Sequence, residues 1–455
     1  MGGEWQEVTI ETIASHIAMG PFGSDIKTEN FVANGVPVIR GTNLTTGRFR
    51  ARDFVFLKPR KADELKNSNA FPGDLVFTHR GTLGQVGIVP EGPFERYVVS
   101  QSQMKLACDS AKANSMYVYY FFKSTLGQHA LLMNTSQTRV PAISRPVSSL
   151  KAIRLALPPL GEQRAIAHIL GTLDDKIELN RRLSETLEAM ARALFKSWFV
   201  DFDPVRAKME GRDTGLPTHI ADLFPDRLVD SELGEIPEGW DAGTFRDVVE
   251  QVKEQQDPAV SPDMLFHHFS IPAFDEGRWP KPDLGQDIKS LKSKVQPGTI
   301  LLSKLNPRIE RVWLTDVEPT DRAICSTEFL VLHPRHPFPR SYSYCLSRSS
   351  PFRSQMNALV TGTSGSHQRA QVDAIMQLGQ VLPAEPLVAA FDAVVSPLLC
   401  RSLACHRESR TLSTLRDTLL PKLISGELRV DPDRILSAVP EETPQSAQHV
   451  VGASA

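Results

Sequence analysis

The sequence is poor in cysteine and in long apolar runs, and each shortage excludes a class of protein. Only five of its 455 residues are cysteines, and none forms a Cys-x-x-Cys pair. A disulfide-stapled fold or a zinc site needs tighter pairing, so we predict free thiols in a reducing cytosol. No run of about 18 apolar residues is present, and we therefore expect no membrane-spanning helix and no membrane partner. The start, Met1-Gly-Gly-Glu-Trp-Gln, lacks the basic and apolar regions of a secretory signal.

Motifs that carry catalysis or bind metals are also missing. The chain has no Gly-x-x-x-x-Gly-Lys-Ser/Thr phosphate loop, no His-Glu-x-x-His pair and no Gly-x-Ser-x-Gly nucleophile turn. His267-His268 has no carboxylate neighbours at ligand spacing. Gly81-Thr-Leu-Gly-Gln-Val-Gly lies between predicted strands, where a turn near a ligand backbone is favoured over a dinucleotide site. We therefore predict no catalytic residues, no metal ligands and no cofactor bound by this chain.

The charge is small overall but uneven along the chain. The formal net charge is −2, which is unusual for a nucleic-acid-binding protein. Residues 203–239 contribute −5 and residues 427–455 contribute −3, so the remainder carries +6. The folded parts are therefore mildly basic, which permits DNA binding without demonstrating it.

The sequence repeats itself once, with strong divergence. Phe71-Pro-Gly-Asp and Gln296-Pro-Gly-Thr lie 225 residues apart, as do Leu157-Pro-Pro and Leu382-Pro-Ala. Each copy begins with about 150 residues of short strand-like runs bounded by Gly, Pro and Asn turns. A helical stretch follows in each, at residues 115–133 and 340–359, and then a proline and one long helix. This order predicts an α+β fold with two repeated globular domains, each followed by a long helix.

The long helices show the clearest periodicity. Apolar residues spaced three and four apart form a heptad-like seam in each helix. The seam of the first helix, predicted over 162–199, consists of Ile166, Leu170, Leu173, Ile177, Leu187 and Leu194, with Trp198 at its end. The seam of the second consists of Phe391, Val395, Leu398, Leu412 and Leu419, with Leu423 at its end.

Two features of the first helix leave alternatives open. Asn180 falls on the seam, where it either fixes the pairing register or lies solvated on a wide face. Ile169, Leu183 and Met190 flank the seam and make the apolar surface broader than two helices need. Leu183 and Met190 therefore either widen the internal seam or face another protein.

Several longer motifs resemble one known family, the specificity subunits of type I restriction–modification systems. The motif Leu157-Pro-Pro-Leu-Gly-Glu-Gln, which leads into the first helix, is highly specific for that family. Leu194-Phe-Lys-Ser-Trp-Phe-Val-Asp-Phe-Asp-Pro-Val and Leu419-Leu-Pro-Lys-Leu-Ile-Ser-Gly-Glu-Leu match it as well. The resemblance covers residues 5–430. The second copy departs from the pattern, because Leu382-Pro-Ala-Glu-Pro-Leu lacks the Glu-Gln pair.

The resemblance implies a division of the chain. Residues 1–157 are the first target-recognition domain, 158–200 the first conserved helix and 201–239 a linker with at most a short turn. Residues 240–382 are the second target-recognition domain, 383–426 the second conserved helix and 427–455 a disordered tail.

The resemblance also implies a function. The two helices pack as an antiparallel coiled coil, and each domain reads half of a split, asymmetric site in double-stranded DNA. Two methyltransferase subunits dock on the helices and methylate adenine with S-adenosylmethionine. Motor subunits that use ATP and Mg join where the system also cleaves DNA. The implied chain is a non-catalytic, cytoplasmic DNA reader.

Residue chemistry suggests which side chains contact DNA, because Arg and Lys suit guanine or phosphate while Asn and Gln suit adenine. In the first domain the candidates are Lys27, Arg40, Thr42, Asn43, Arg80, Thr82, Gln85 and Arg139. In the second they are Lys304, Asn306, Arg308, Arg311, His367 and Arg369.

Two other classes of function compete with this interpretation. A free-standing endonuclease–methyltransferase would show the nuclease and methyltransferase motifs that are missing here. A helical scaffold without a DNA role would show no salt-dependent affinity for DNA in its assembled complex.

Overall fold

The structure is a computed structural model that describes residues 4–23, 25–44, 47–92, 94–136, 139–360 and 368–437. The chain divides into two compact units. The first unit contains residues 1–180 and 408–455, and the second unit contains residues 181–407. This division differs from the predicted boundaries, because each long helix contributes residues to both units.

The strands and helices follow the predicted order. The strands of the first unit are β1 (Gln6–Thr9), β2 (Ala14–Met19), β3 (Phe31–Val32), β4 (Val36–Ile39), β5 (Val55–Leu57), β6 (Asn69–Ala70), β7 (Leu75–Thr78), β8 (Val86–Ile88), β9 (Tyr97–Val99), β10 (Gln103–Cys108), β11 (Thr135–Ser136), β12 (Ala142–Ile143) and β13 (Arg154–Leu157). Those of the second unit are β14 (Leu228–Ser231), β15 (Gly234–Pro237), β16 (Asp241–Thr244), β17 (Val249–Val252), β18 (Gln255–Gln256), β19 (Leu265–Phe269), β20 (Lys281–Leu284), β21 (Lys292–Lys294), β22 (Ile300–Ser303), β23 (Val312–Leu314), β24 (Ala323–Cys325), β25 (Phe329–Pro334) and β26 (Gly379–Leu382). The helices are α1 (Ile10–Ile13), α2 (Pro59–Glu64), α3 (Ser115–Lys123), α4 (Thr125–Leu132), α5 (Pro146–Ala152), α6 (Leu160–Phe199), α7 (Asp203–Met209), α8 (Thr218–Ala221), α9 (Phe245–Val248), α10 (Ile271–Gly277), α11 (Arg340–Arg348), α12 (Ser350–Ala358), α13 (Val372–Met376), α14 (Glu385–Ser425) and α15 (Pro432–Leu436).

The sheet topology confirms the internal repeat. The first unit has a four-stranded antiparallel sheet in the order β2-β10-β7-β8, and the second unit has its counterpart, β17-β25-β22-β23. Each unit also has a second, five-stranded sheet. Four strands correspond between these two sheets, in the orders β5-β4-β9-β6 and β20-β19-β24-β21, and the central pair of each is parallel. Because both sheets match in strand order and strand direction, it is a poor explanation that the two halves of the chain arose independently.

The two long helices pack antiparallel within each unit. In the first unit, Asp174 of α6 binds Arg416 of α14, and Asn180 Nδ2 donates to Glu408 Oε2 at 2.8 Å. In the second unit, Ser184 and Ser402 lie 2.6 Å apart through their hydroxyl oxygens. Residue numbers that rise along α6 therefore meet numbers that fall along α14. Asn180 is only 1% exposed, so it lies on the seam and not on a solvated face.

The buried stripe of the helices differs in part from the predicted seam. Ile166, Leu170, Phe391 and Val395 are buried. Seven other seam positions are only half-buried, namely Leu173, Ile177, Leu187, Leu194, Leu398, Leu412 and Leu419. The buried positions of α6 continue instead through Asn180, Ser184, Glu188, Ala191 and Phe195. A straight helix with 3.6 residues per turn drifts away from a heptad, which moves the contact face around the helix.

A carboxylate of α6 connects the helices to the globular part of the first unit. Asp174 accepts hydrogen bonds from Arg416 of α14 at 2.8 Å and from the Tyr120 hydroxyl of α3 at 2.8 Å. The guanidinium of Arg48 reaches the same place and donates to the carbonyl oxygen of Gly171 at 2.5 Å and to Asp175 at 2.7 Å. The loop that carries Arg48 is thereby attached to α6.

A second carboxylate of α6 has the same role in the second unit. Glu188 is 8% exposed, and its Oε2 accepts from Arg348 of α11 at 2.5 Å and from Arg278 at 3.2 Å. Burial alone would raise the pKa of Glu188, but the charges of Arg348 and Arg278 outweigh it and hold the pKa below its ordinary value. Glu188 is therefore ionised at neutral pH.

The prediction that residues 201–239 form a linker was wrong. Helices α7 and α8 and the hairpin β14–β15 lie within this stretch. Phe202, Val205, Ile220, Phe224 and Ile236 are buried, and four of them belong to the main core of the second unit. The acidic, proline-rich composition masked the apolar residues, which occur singly and without a period.

The C-terminal region also differs from the predicted tail. Residues 427–437 are described and include α15, while residues 438–455 lie outside the described part of the chain. Arg429 donates two hydrogen bonds to Glu162, of 2.7 and 2.8 Å, and Trp5 donates to the same carboxylate at 3.1 Å. Glu162 of the Glu-Gln pair thus joins Trp5 to Arg429 within the first unit. The counterparts of the pair in the second copy, Leu387 and Val388, are fully buried in an apolar core.

One helix contradicts the expectation that none is suited to span a membrane. Among the described residues, α14 is long and apolar enough by length and composition alone. Core helices meet the same criteria, and α14 buries Leu387, Phe391 and Val395 in the core of the second unit. A single helix of this kind is weak evidence for a membrane span.

The substitution Glu188→Gln tests the buried carboxylate. We expect it to lower the free energy of unfolding of the second unit by about 3–5 kcal/mol at pH 7, because the buried Arg348 loses one of its two carboxylate partners and keeps Glu310. The pKa of Glu188 is depressed on folding, so its contribution is complete above its unfolded pKa of about 4.3 and is lost as the pH falls through its folded pKa. Urea unfolding at pH 7 and at about pH 3 measures both effects.

Glu185→Gln on the same helix is the matched control. Its side chain is 60% exposed and pairs with Arg181 one turn away. We expect a change within about 0.5 kcal/mol. Equal losses for the two variants would contradict a special role for Glu188.

Candidate nucleic-acid interface

A polar groove with a volume of about 840 Å³ crosses the first unit. Six of the eight residues proposed from the sequence line it, namely Lys27, Arg40, Thr42, Arg80, Thr82 and Gln85. These residues come from three separate loops, one before β3, one after β4 and one between β7 and β8. The groove therefore gathers cations and hydrogen-bonding side chains from distant parts of the sequence.

The loop after β4 is held in shape by Asn43, which corrects its proposed role. Asn43 is 1% exposed, and its Oδ1 accepts from the Arg40 N–H at 2.9 Å. Its Nδ2 donates to the carbonyl oxygens of Arg50 and Arg52, each at 3.0 Å. All its strong hydrogen-bonding positions are used within the loop. Asn43 thus shapes the turn that presents Arg40 and Thr42, and it is not available to read a base.

The floor of the groove contains residues that the sequence analysis missed. Ser100, Gln101, Ser102 and Gln103 line the groove between β9 and β10. Gln103 Nε2 donates to Thr78 Oγ1 at 3.3 Å, and Thr78 in turn donates to Gln85 Oε1 at 2.8 Å. This network fixes Gln85 and Gln103, whereas the side chain of Gln101 is exposed. Four consecutive polar residues between two apolar strands were the signal available in the sequence.

His79 contacts the backbone of Gln101 in this floor. Burial lowers the pKa of His79, although its hydrogen bond to the Gln101 carbonyl acts in the opposite direction. The Nε2 atom lies 3.2 Å from that carbonyl oxygen. The ring is therefore uncharged at neutral pH, and the positive charge of the groove comes from Lys27, Arg40 and Arg80.

The three arginine candidates of the first unit differ in position and in contacts. Arg139 is exposed but does not line the groove. Arg40 lines it and also donates from Nη2 to the carbonyl oxygen of Asp53 at 2.9 Å. Arg80 is exposed and forms no ion pair within the described part of the chain. It is the groove cation with the greatest freedom to bind an anion or a base edge.

The second unit brings together three of its six candidates around Glu328. Arg369 donates to both carboxylate oxygens of Glu328, at distances from 2.7 to 3.1 Å. The Lys304 N–H donates to the Glu328 carbonyl oxygen at 3.0 Å, and the Asn306 N–H donates to that of Gln368 at 2.8 Å. Arg308 is exposed on the same loop. His367 lies outside the described residues.

Arg311 is a correction, because it is a structural residue. It is 7% exposed, and its Nε and Nη2 atoms donate to the two oxygens of Asp275 at 2.8 and 2.7 Å. Such a bidentate pair uses the fork of the guanidinium that would read guanine. Arg311 lies between Glu310 and the buried Val312. The sequence gave no sign that Arg311 is buried, because a single Arg is typical of an exposed position.

The two units differ in chemistry at equivalent positions. Ser102 directly precedes β10 and Glu328 directly precedes β25, and these residues are 226 apart, which is the offset of the two strands. Backbone bridges between Arg80 and Ala142 and between Leu305 and Arg369 occupy corresponding places. A hydroxyl in one unit thus corresponds to a carboxylate–arginine pair in the other. The same scaffold offers two different sets of donors and acceptors.

No group of three or more His, Cys, Asp or Glu residues suited to hold a metal ion occurs in the part of the chain that the structure describes. The groove is instead built from amides, hydroxyls and cations. This combination suits a polyanion with hydrogen-bonding edges, which is the chemical character of DNA.

Comparisons with known proteins agree with this chemistry. Residues 3–189 match the family model described as the type I restriction modification DNA specificity domain. The MjaIX specificity subunit of Methanocaldococcus jannaschii is 25% identical over 375 residues, which cover 79% of each chain. The HindI specificity subunit of Haemophilus influenzae is 25% identical over 426 residues, which cover 78% of this chain and 86% of that one.

A solved structure supports the fold. The S subunit of a type I restriction–modification system from M. genitalium aligns with a TM-score of 0.56 and 15% identity, covering 92% of this chain and 96% of that one. The repeated domains, the paired long helices and the matches over most of the sequence lead to one conclusion. Residues 3–189 match the DNA specificity domain of type I restriction–modification systems, and the chain is similar over most of its length to specificity subunits of those systems, which supports a role in recognising a DNA sequence.

Proposed function

We propose that the groove of the first unit reads one half of a split, asymmetric DNA site and that the loops around Glu328 in the second unit read the other half. The observation that carries the proposal is the gathering of Lys27, Arg40, Arg80 and Gln101 along one groove. Cations there bind phosphates or guanine, and amides suit adenine. The different chemistry at the equivalent positions Ser102 and Glu328 supports two unlike half-sites.

The chain itself performs no chemistry in this proposal. It directs adenine methylation by two methyltransferase subunits, and it directs cleavage where motor subunits join the complex. S-adenosylmethionine, ATP and Mg bind those partner subunits and not this chain. The assembled complex acts on DNA in the cytoplasm.

Exposed apolar residues on the long helices support docking of the methyltransferase subunits there. Leu179 and Leu415 in the first unit are 58% and 45% exposed, and Met190 in the second unit is 48% exposed. Ile169, by contrast, packs against the core of the first unit. Of the flanking residues, Ile169 thus widens the internal contact, and Met190 is available to a partner.

The adenine methylome of the native host tests the proposed function. We expect deletion of the gene to remove methylation from one split motif, because no other part of the complex selects the sequence. Single-molecule sequencing of the two strains measures this directly. An unchanged methylome in a strain that expresses all subunits would contradict the proposal and favour the scaffold interpretation.

Arg80→Ala tests the groove. We expect DNA binding by the assembled complex to weaken by about 1–3 kcal/mol, with relaxed selection at one position of one half-site if Arg80 reads a base. Fluorescence anisotropy with a set of single-base variants of the motif measures both effects.

Arg154→Ala is the control for Arg80. Arg154 belongs to the same unit, is 69% exposed at its side chain and pairs with Glu7 on β1. Its loss removes the same charge away from the groove, so affinity and motif selection should stay as in the wild type. Equal losses of DNA affinity in both variants would show that Arg80 acts only through the general electrostatic field of the protein.

Met190→Glu tests the docking surface. We expect it to reduce methyltransferase binding by at least about tenfold, because a contact would bury an unpaired carboxylate. Met209→Glu on α7 is the control, since Met209 is 50% exposed but lies off the long helices. Titration of the purified subunits by calorimetry gives both affinities. Normal assembly with Met190→Glu would exclude this residue from the interface.

A further inference from the structure

The loop that follows β2 presents an aromatic side chain to solvent beside the groove. Phe22 is 82% exposed, more than any other large apolar side chain in the described part of the chain. Its neighbour Gly23 lines the groove, and a Cβ atom at Gly23 would lie 2.9 Å from Gln101 Oε1. Phe22 therefore stands at the rim, one residue from the proposed reading surface.

Backbone contacts anchor the described residues on both sides of Phe22. The Gly20 N–H donates to the Gln103 carbonyl oxygen at 2.8 Å, and a Cβ atom at Gly20 would lie 1.9 Å from the Ser100 carbonyl oxygen. Only glycine fits so close an approach. The Phe22 N–H donates to Asp25 Oδ2 at 3.1 Å, and the Asp25 N–H donates back to the Phe22 carbonyl oxygen at 2.9 Å. Buried Pro21 fixes the dihedral angle before the aromatic.

The folding of the unit does not explain an exposed Phe at this place, since the side chain gains nothing from the core. Apolar side chains at the edge of a DNA interface have a known physical use, because they insert between base pairs and unstack them. Lys27 and Arg40 line the adjoining groove and supply the cations that would hold the two flanking phosphates.

We propose that Phe22 is a wedge that inserts at a base step of the half-site read by the first unit. The inference rests on the proposed function, because it requires that the groove face DNA. It adds a deformation of the duplex to the recognition, so that the flexibility of the contacted step contributes to sequence choice.

The wedge belongs to the first unit alone. Ile17 pairs with Leu106 of β10, and Gln251 pairs with Leu332 of β25. These two six-residue strands are 226 residues apart, so Ile17 corresponds to Gln251. On this alignment, Gln256 occupies the place of Phe22 and pairs with Lys292 of β21. The equivalent segment of the second unit is polar, and we expect the duplex to be unstacked in one half-site only.

The test uses the full chain assembled with its methyltransferase subunits and duplexes that carry the motif found in the methylome. The adenine analogue 2-aminopurine, placed at successive positions of each half-site, reports unstacking by a rise in fluorescence. A rise at the target adenine of each half-site is expected from the methyltransferase subunits, which flip that base. Apart from those positions, we expect a rise at one step of one half-site with the wild type and with Phe22→Leu, which keeps an apolar wedge. Phe22→Ala should lose the rise and bind about tenfold more weakly.

Phe71→Ala is the matched control. Phe71 occupies the same kind of turn, where its N–H donates to Asp74 Oδ2 at 3.0 Å, and it is 50% exposed, but it does not line the groove. Its removal should change neither fluorescence nor affinity.

Three outcomes separate the possibilities. If Phe22→Ala binds DNA and raises the fluorescence as the wild type does, while Arg80→Ala weakens binding, the wedge is overturned and the proposed function stands. If Arg80→Ala is also without effect, the proposed function itself fails. If Phe22→Ala instead prevents assembly with the methyltransferase subunits, Phe22 contacts protein and the wedge is overturned.

Discussion

The attachment of each recognition unit to the long helices depends on one buried carboxylate of α6. Asp174 serves the first unit and Glu188 serves the second, and each binds at least one arginine from the globular part of its unit. Each also binds a polar group of α14, Arg416 or Ser402. A buried charge is stable only with its partner present, so these contacts hold one arrangement and penalise others. They constrain orientation, which apolar packing alone would leave adjustable.

In the first unit this attachment extends to the groove. Arg48, which α6 holds, belongs to the same loop as Arg40 and Thr42. Asn43 ties the beginning of that loop to Arg50 and Arg52. The reading side chains are therefore presented from a framework that hydrogen bonds determine before any ligand binds. Such preorganisation lowers the entropy lost on binding and sharpens the choice between similar bases.

The sequence was sufficient to predict the architecture, because the repeat offset and the periodicity of the helices are properties of many residues together. Six of the residues that it proposed for DNA contact line one groove, since polar loops between apolar strands tend to meet at one edge of a domain. It failed where the role of a residue depends on a partner distant in the chain. Asn43 and Arg311 have the chemistry of base readers, but their partners Arg52 and Asp275 occupy those functions. The segment 201–239 failed for a different reason, because its buried residues follow no period.

The carboxylates of α6 also limit how such a chain diverges. A recognition domain transferred from a related subunit would dock on this helix only if it brought an arginine and a hydroxyl to the places of Arg48 and Tyr120, or of Arg348 and Tyr344. A domain with apolar residues there would deprive Asp174 of Arg48, or Glu188 of Arg348, and so destabilise the docked arrangement. The carboxylates of α6 thus determine which recognition domains can pack on this helix. They leave the groove free to change its sequence preference while they reject domains that do not match the scaffold.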